Sequence, residues 1–456
     1  MKSLDIYNNI KYLSIFNEIK VFINKVTIDT RKISNNDCYI GIKGDKNDGN
    51  LLYMEAFNKG ASIAILENFT ITDEINDYLI KNNKSIIVVG NTKKTLGELA
   101  KYKRSMFFSP VVAITGSAGK TSTKDMIYSV LKEKYKAHKT IGNQNNHIGL
   151  PLTILSLEED NEVLVLEMGM NHLGEISYLT NIAKPDVAVI TNVGTAHIGN
   201  LGSRENILKA KLEILEGLNP NGVIIINNDN DLLHVWFLNN KDKYNIITIG
   251  INNNSDYMAS ILETNEFSSS FTCNNFTYKV PVGGEHFIYN ALASIAVGEY
   301  FKETNEEISK GILNFELSSN RMSIINNNDI TIIDDSYNAN YDSMRYAIKY
   351  LGSLTGRNIA VLGTMRELGD YTKSLHKKIG KVVSDEDINI LITVGEDSDY
   401  INDGAIEEGF NKDNSYHFTN NTDAINFINE IKCKDDNILV KASNSLNFKE
   451  IVEKIK

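Results

Sequence analysis

The stretch VVAITGSAGKTSTKDMI, residues 111–127, sets Gly116, Ser117, Ala118, Gly119, Lys120 and Thr121 between an apolar run and a helix-forming segment. Glycines let backbone N–H groups turn toward an anion, and a helix N-terminus adds partial positive charge. In such a loop a lysine reaches the outer phosphates of a nucleoside triphosphate, and a threonine hydroxyl ligates Mg²⁺. Lys120 and Thr121 stand at those two places. A plain glycine turn is the bland alternative. The strand–loop–helix context with Gly-Lys-Thr at the turn favours binding of ATP or GTP.

Three further residues could act beside that loop. Glu167 follows the apolar run VLVL directly. A carboxylate at the end of a buried strand can hold a nucleotide's magnesium ion, or can be a solvated cap. Lys211 lies four residues after Ile207 and four before Leu215, inside the apolar stripe of a helix expected over 203–218 with Ser203 as its cap. A desolvated lysine prefers its neutral form and can capture CO₂ as a carbamate; a lysine at the stripe's edge can instead snorkel to water. His197 ends the loop after the apolar run 187–191, where a ligand site would sit, although a lone histidine is often structural.

The elements that must position these groups follow from the apolar pattern. The runs 111–115, 163–167, 187–191 and 222–227, with helical stretches at 120–134 and 203–218, predict a parallel sheet covered on both faces. The runs ITIID, NIAVLG, INILITVG and NILVKAS restart that pattern after residue 315 and predict a separate α/β unit. The first hundred residues mix short strand-like runs at 26–28, 38–42, 62–66 and 85–89 with a helical stretch at 51–59; the basic segment 101–110 reads as a joint. The 456 residues exceed one hydrophobic core, and the working division is 1–104, 105–318 and 319–456. A net charge of −11, from 47 basic and 58 acidic residues, argues against nucleic acid as a partner. No apolar run approaches the roughly 18 residues of a membrane span, and the N-terminus lacks a secretory h-region. Cys38, Cys273 and Cys433 make no disulfide framework. A cytoplasmic protein, monomeric by default, is expected.

Taken together, the motifs resemble the Mur ligases, ATP-dependent amide-forming enzymes of peptidoglycan synthesis, over nearly the whole chain. Residues 115–121 are similar to the family's shortened nucleotide loop, which accounts for Ile114 at the usual first-glycine position. Residues 143–153, Glu167-Met168-Gly169, Gly174-Glu175-Ile176, residues 192–197 and Ala210-Lys211-Leu212-Glu213-Ile214 resemble the stretches that follow it. Asp334-Asp335-Ser336-Tyr337-Asn338-Ala339-Asn340 and Gly363-Thr364-Met365-Arg366-Glu367-Leu368-Gly369, followed by His376, resemble the D-alanyl-D-alanine-adding branch; the D-N-P-R of diaminopimelate-adding relatives is absent. Asp29-Thr30-Arg31, Ile42-Lys43-Gly44 and Asp48-Gly49 resemble the pattern that holds a UDP-sugar.

The resemblance implies three α/β domains: a mixed N-terminal UDP-binding domain, a central nucleotide-loop domain with a parallel sheet, and a Rossmann-like C-terminal domain. It implies ATP and Mg²⁺ as cofactors, with UDP-N-acetylmuramoyl-tripeptide and D-alanyl-D-alanine as partners. Gly116, Ser117, Ala118, Gly119, Lys120, Thr121, Ser122, Asn290, Arg321 and Asp335 would bind nucleotide. Thr121, Glu167, His197 and a carbamylated Lys211 would hold metal; Lys120, Lys211 and His197 are the catalytic candidates. Thr30, Arg31, Lys43, Asn146, Tyr337, Asn338, Asn340 and Thr364 would contact substrates. A site split between domains implies closure on binding. Several positions depart from the family pattern: Asn50, Phe287, Tyr341, Thr364 for Asp, and Lys441-Ala442-Ser443-Asn444 for K-G-S-R. They leave open a ligase joining another acid and amine; a nucleotide-binding regulator without turnover is a separate alternative, against which Lys120, Thr121, Glu167, His197 and Lys211 are all present.

Overall fold

In the computed structural model, which describes residues 1–265, 267–317, 320–327 and 330–456, four sheets are arranged along the chain. The boundary expected between residues 318 and 319 lies outside the described residues. The largest sheet has seven strands, all parallel, in the spatial order 257–258, 245–250, 223–227, 187–190, 111–115, 163–167 and 137–139. Val111–Thr115 and Val163–Glu167 are buried at every position, as near-continuous apolar strands in a doubly covered parallel sheet must be. Glu167 is thereby an acid at the end of a fully buried strand.

Strand order reverses at Val111–Thr115, whose neighbours are Val163–Glu167 on one side and Val187–Ile190 on the other. Such a switch point opens a crevice beyond the carboxyl ends of the strands. The helix Lys120–Leu131 begins there and packs on the apolar helix Glu285–Tyr300. The expected helix over 203–218 divides into Arg204–Leu212 and a 3₁₀ turn, Glu213–Glu216; the Ser203 hydroxyl caps it by accepting from the Asn206 amide.

The N-terminal domain holds a five-stranded sheet in the order 14–16, 85–89, 63–67, 38–40, 26–27, parallel except for its first strand. Its last helix, Thr92–Ser105, takes up the first half of the segment 101–110 expected to be a joint. Arg104 at that helix end donates to the Ala183 carbonyl at 2.6 Å and so ties the first domain to the second; the non-helical connection is confined to 106–110. The C-terminal sheet has the order 323–327, 330–334, 436–441, 357–363, 390–394, 415–418, with only the first strand antiparallel. An antiparallel sheet of Ser260–Thr264, Ser269–Cys273 and Phe276–Val280 was not expected.

Candidate active site between the second and third domains

A cavity of about 850 Å³ opens at the switch point and is roofed by the C-terminal domain. Ser117, Ala118 and Gly119 of the loop form its floor, with Gly116 just behind them. A Cβ on Gly116 would stand 1.8 Å from the Thr191 hydroxyl, so any side chain there would have to displace Thr191. Lys120 Nζ donates to the Gly116 carbonyl at 2.8 Å. The Ser117 and Ala118 amides donate to Asn192 Oδ1 at 3.0 and 2.9 Å, and the Gly194 amide donates to Ser117 Oγ at 2.9 Å. The loop is therefore held from behind by residues 192–194, while the helix from Lys120 presents its first-turn amides to the cavity.

Thr121 Oγ1 donates to Glu167 Oε2 at 2.9 Å, and Asn145 Nδ2 donates to Oε1 at 2.7 Å. Buried Lys124 lies 3.8 Å from Oε2 and balances the carboxylate's charge. Among the described residues, no group of three or more His, Cys, Asp or Glu side chains forms a metal centre. One hydroxyl and one carboxylate, beside the loop Ser117–Gly119 in the cavity, nevertheless fit Mg²⁺, which keeps waters and shares its shell with substrate phosphates.

Lys211 is 1% exposed and does not line the cavity directly. Burial, and then the nearby Lys120 charge, push its ammonium well below the ordinary lysine range, while Asp342 opposes that shift. Burial likewise lowers Lys120. His197 lines the cavity, with a left-handed backbone (φ +63°), and its Nδ1 contacts the Glu367 carboxylate.

Across the cavity the third domain contributes Arg321, Asp335, Tyr337, Asn338 and Asn340. The Arg321 guanidinium lies 4.0 Å over the Tyr337 ring. Asp335 accepts from the Met322 amide at 3.2 Å and pairs with buried Lys441; burial raises its carboxyl and the Lys441 charge opposes the rise. Asn340 caps the helix Tyr341–Gly352 and donates to the Ser117 carbonyl at 3.3 Å. Asp342 Oδ2 accepts from the Thr195 amide at 2.9 Å. The two domains are thus docked in this structure. Asn290 Oδ1 accepts from Thr123 Oγ1 at 2.9 Å. His286 tilts against Tyr346 at 5.4 Å, with burial lowering its imidazole to about 4, and Phe287 faces Phe315 in the core at 6.3 Å.

Of the residues singled out in the sequence, Ser117–Ser122, Asn146, Glu167, His197, Asn290, Arg321, Asp335, Tyr337, Asn338 and Asn340 share this cavity. The side-chain oxygen of Asn146 is already occupied in the turn before the helix Gly149–Leu155, accepting from the Ile148 and Gly149 amides. Thr364 is not brought to the cavity: it is buried, and its hydroxyl has no hydrogen-bond partner among the described residues. Thr30, Arg31 and Lys43 lie in the N-terminal domain, where Thr30 donates to Glu55 and Arg31 pairs with Asp29. Sequence reasoning assigned no role to Asn145, Asp342, Glu367 or Lys441. Asn145, Glu367 and Lys441 fall inside motifs already noted, but Asp342 carries no local signal.

Comparison with known proteins agrees with this layout. The family descriptions "Mur ligase family, catalytic domain", "Mur ligase middle domain" and "Mur ligase, glutamate ligase domain" match residues 22–104, 114–298 and 320–444. The chain belongs to the Mur ligase family. Among Mur ligases it is 39% identical to the UDP-N-acetylmuramoyl-tripeptide–D-alanyl-D-alanine ligase of Bacillus subtilis (strain 168), over 94% of this chain and 93% of that one. It is 30% identical to the enzyme of that name from Escherichia coli (strain K12), over 95% and 93%. A crystal structure of MurF from Acinetobacter baumannii superposes with a TM-score of 0.89 at 28% identity, covering 99% of this chain and 98% of that one. MurF ligase from Thermotoga maritima in complex with ADP gives 0.82 at 27% identity, covering 94% and 96%.

Proposed function

We propose that this Mur ligase joins D-alanyl-D-alanine to UDP-N-acetylmuramoyl-tripeptide at the expense of ATP, through an acyl phosphate. The observation that carries this reading is that one cavity holds Lys120, Thr121 and Glu167 on one side and Arg321, Asp335 and Asn338 on the other. The relatives named above support the substrate assignment. The N-terminal domain, with Thr30, Arg31 and Lys43, would hold the UDP-sugar. The division 1–104, 105–318 and 319–456, a cytoplasmic location and a monomeric state belong to the same proposal. Among the described residues, no helix is long and apolar enough to cross a membrane.

A carboxylate at neutral pH does not accept an amine, so the tripeptide's terminal carboxylate oxygen first attacks the γ-phosphorus of ATP and ADP leaves. The dipeptide amine then attacks the acyl carbon, inorganic phosphate departs, and the amine loses a proton. Such phosphoryl transfer depends on positioning and charge neutralisation. Lys120 and the loop amides bind the β/γ-phosphates, Arg321 approaches them from the third domain, Asp335 binds the ribose and Asn290 lies toward the base. Tyr337, Asn338 and Asn340 face the incoming dipeptide. Mg²⁺, when bound, neutralises phosphate charge, held by Thr121 and Glu167, with His197 and carbamylated Lys211 serving a second position.

Phosphate release with ATP, the UDP-tripeptide and the dipeptide tests the reading. Release that requires both acceptor substrates supports it. Release with a different acid or amine only would point to a diverged ligase, and nucleotide binding without release to a regulator.

A further inference from the structure

Residues 197–202 of the central domain are gripped by residues 367–371 of the third. The Glu367 carboxylate contacts His197 Nδ1, the Glu367 carbonyl accepts from the Gly199 amide at 3.0 Å, and the Tyr371 hydroxyl donates to the Gly202 carbonyl at 2.8 Å. A Cβ on Gly199 would stand 2.6 Å from the Gly369 nitrogen and 2.7 Å from the Glu367 oxygen, so the two backbones meet only because residue 199 has no side chain. The gripping segment is itself braced. Buried His376 accepts from the Met365 amide at 2.9 Å through Nε2, and Ser443 Oγ accepts from the Arg366 amide at 2.8 Å. Glu367 thus projects from a fixed support, with its backbone at φ +64°.

A histidine that holds a metal through one ring nitrogen generally donates the other N–H to a carboxylate, which fixes its tautomer and orientation. Here that carboxylate comes from another domain, 170 residues away in the chain. At the far end of the same loop, Asn192 holds the Ser117 and Ala118 amides, and between the two ends Asp342 of the third domain takes the Thr195 amide. We propose that Glu367 is a positioning residue: supplied by the third domain, it sets the His197 ring as the Nδ1–H tautomer only while that domain is docked, so that the central half-site is completed by the domain that brings the amine. The proposal rests on the ligase reading for the role of His197.

The test uses the full-length protein labelled with ¹⁵N-histidine; with 8 histidines, the His197 resonance is assigned from a His197→Gln difference spectrum. Wild type is expected to show His197 with Nδ1 protonated. Glu367→Gln keeps an acceptor oxygen and should keep that tautomer with a mild loss of kcat. Glu367→Ala should lose the tautomer preference and lower kcat on the order of 10–100-fold, with the KM for ATP within about twofold of wild type. Gly199→Ala, which wedges the junction apart without touching either side chain, should reproduce the Ala result. Unchanged ring shifts and kcat in Glu367→Ala, or equal losses in the Gln and Ala variants, would overturn the proposal. Absence of amide product in wild type would instead refute the ligase reading, while the ring shifts would still report whether Glu367 orients His197.

Discussion

Lys441 and Asp335 form an ion pair inside the third domain, joining the end of the strand Asp436–Lys441 to the turn that follows Ile330–Asp334. Lys441 is 1% exposed and Asp335 8%, and Lys441 also donates to the Asn338 carbonyl at 3.0 Å. One lysine therefore shapes both the acid assigned to the ribose and the loop assigned to the dipeptide. Removing one partner of a buried pair leaves the other uncompensated, at a cost of roughly 3–5 kcal/mol. Lys441→Met should lower the urea midpoint accordingly and weaken ATP binding. Lys441→Met combined with Asp335→Asn should recover much of the stability but not the binding. Additive stability losses would show that the pair is not coupled.

Lys120→Ala removes the point charge assigned to the outer phosphates. Acyl-phosphate formation should fall about 10²–10³-fold, the scale on which such electrostatic groups act. UDP-sugar binding by the N-terminal domain, measured by calorimetry, should persist. Near-normal turnover would refute the phosphate-loop assignment.

Lys211 is expected to be carbamylated during turnover. Its burial and the neighbouring Lys120 charge disfavour an ammonium, and a carbamate converts it into an anion fit to face a cation. A ¹³C-bicarbonate resonance that disappears in Lys211→Ala is the expected signature. The Ala variant should lose most activity, retain ATP affinity, and regain part of its turnover with formate or acetate. Full activity with a free ammonium in the presence of CO₂ would contradict this.

Glu303 is 6% exposed, and among the described residues neither carboxylate oxygen has a hydrogen-bond partner. Burial, with Glu307 and Glu133 nearby, raises its carboxyl to about 8, and Lys134 only partly offsets that. A folded-state value above the unfolded one means the folded chain holds the proton more tightly. Its stability contribution is present below the unfolded carboxylate value of about 4.3 and is lost as pH rises toward 8. Glu303→Gln should therefore raise the melting temperature at pH 8–9, by about 2–4 °C for each kcal/mol recovered, and leave it nearly unchanged near pH 4. A variant that melts lower at pH 9 would contradict the assignment.

The central sheet was legible because its strands are continuous apolar runs: Val111–Thr115 and Val163–Glu167 have the bounds that the pattern implies. Ser260–Thr264, exposed throughout, and Ser269–Cys273, with serine on its buried face, conceal their strand character behind polar residues. Within the site, the loop and Glu167 are local motifs and could be read directly. The contacts of Glu367 with His197 and of Asp342 with Thr195 span 170 and 147 residues, and only the docking of two domains creates them. Thr364 illustrates the converse: its place in a motif suggested a substrate contact, whereas the strand Arg357–Gly363 delivers it into the protein interior.

In the proposed reaction ATP activates the tripeptide carboxylate before the amine attacks, and oxygen transfer reads that step directly. With ¹⁸O in the terminal carboxylate of UDP-N-acetylmuramoyl-tripeptide, and with D-alanyl-D-alanine and ATP present, one ¹⁸O is expected in the released inorganic phosphate for each amide formed, alongside ADP. Amide formed with unlabelled phosphate, or with AMP as the nucleotide product, would contradict it.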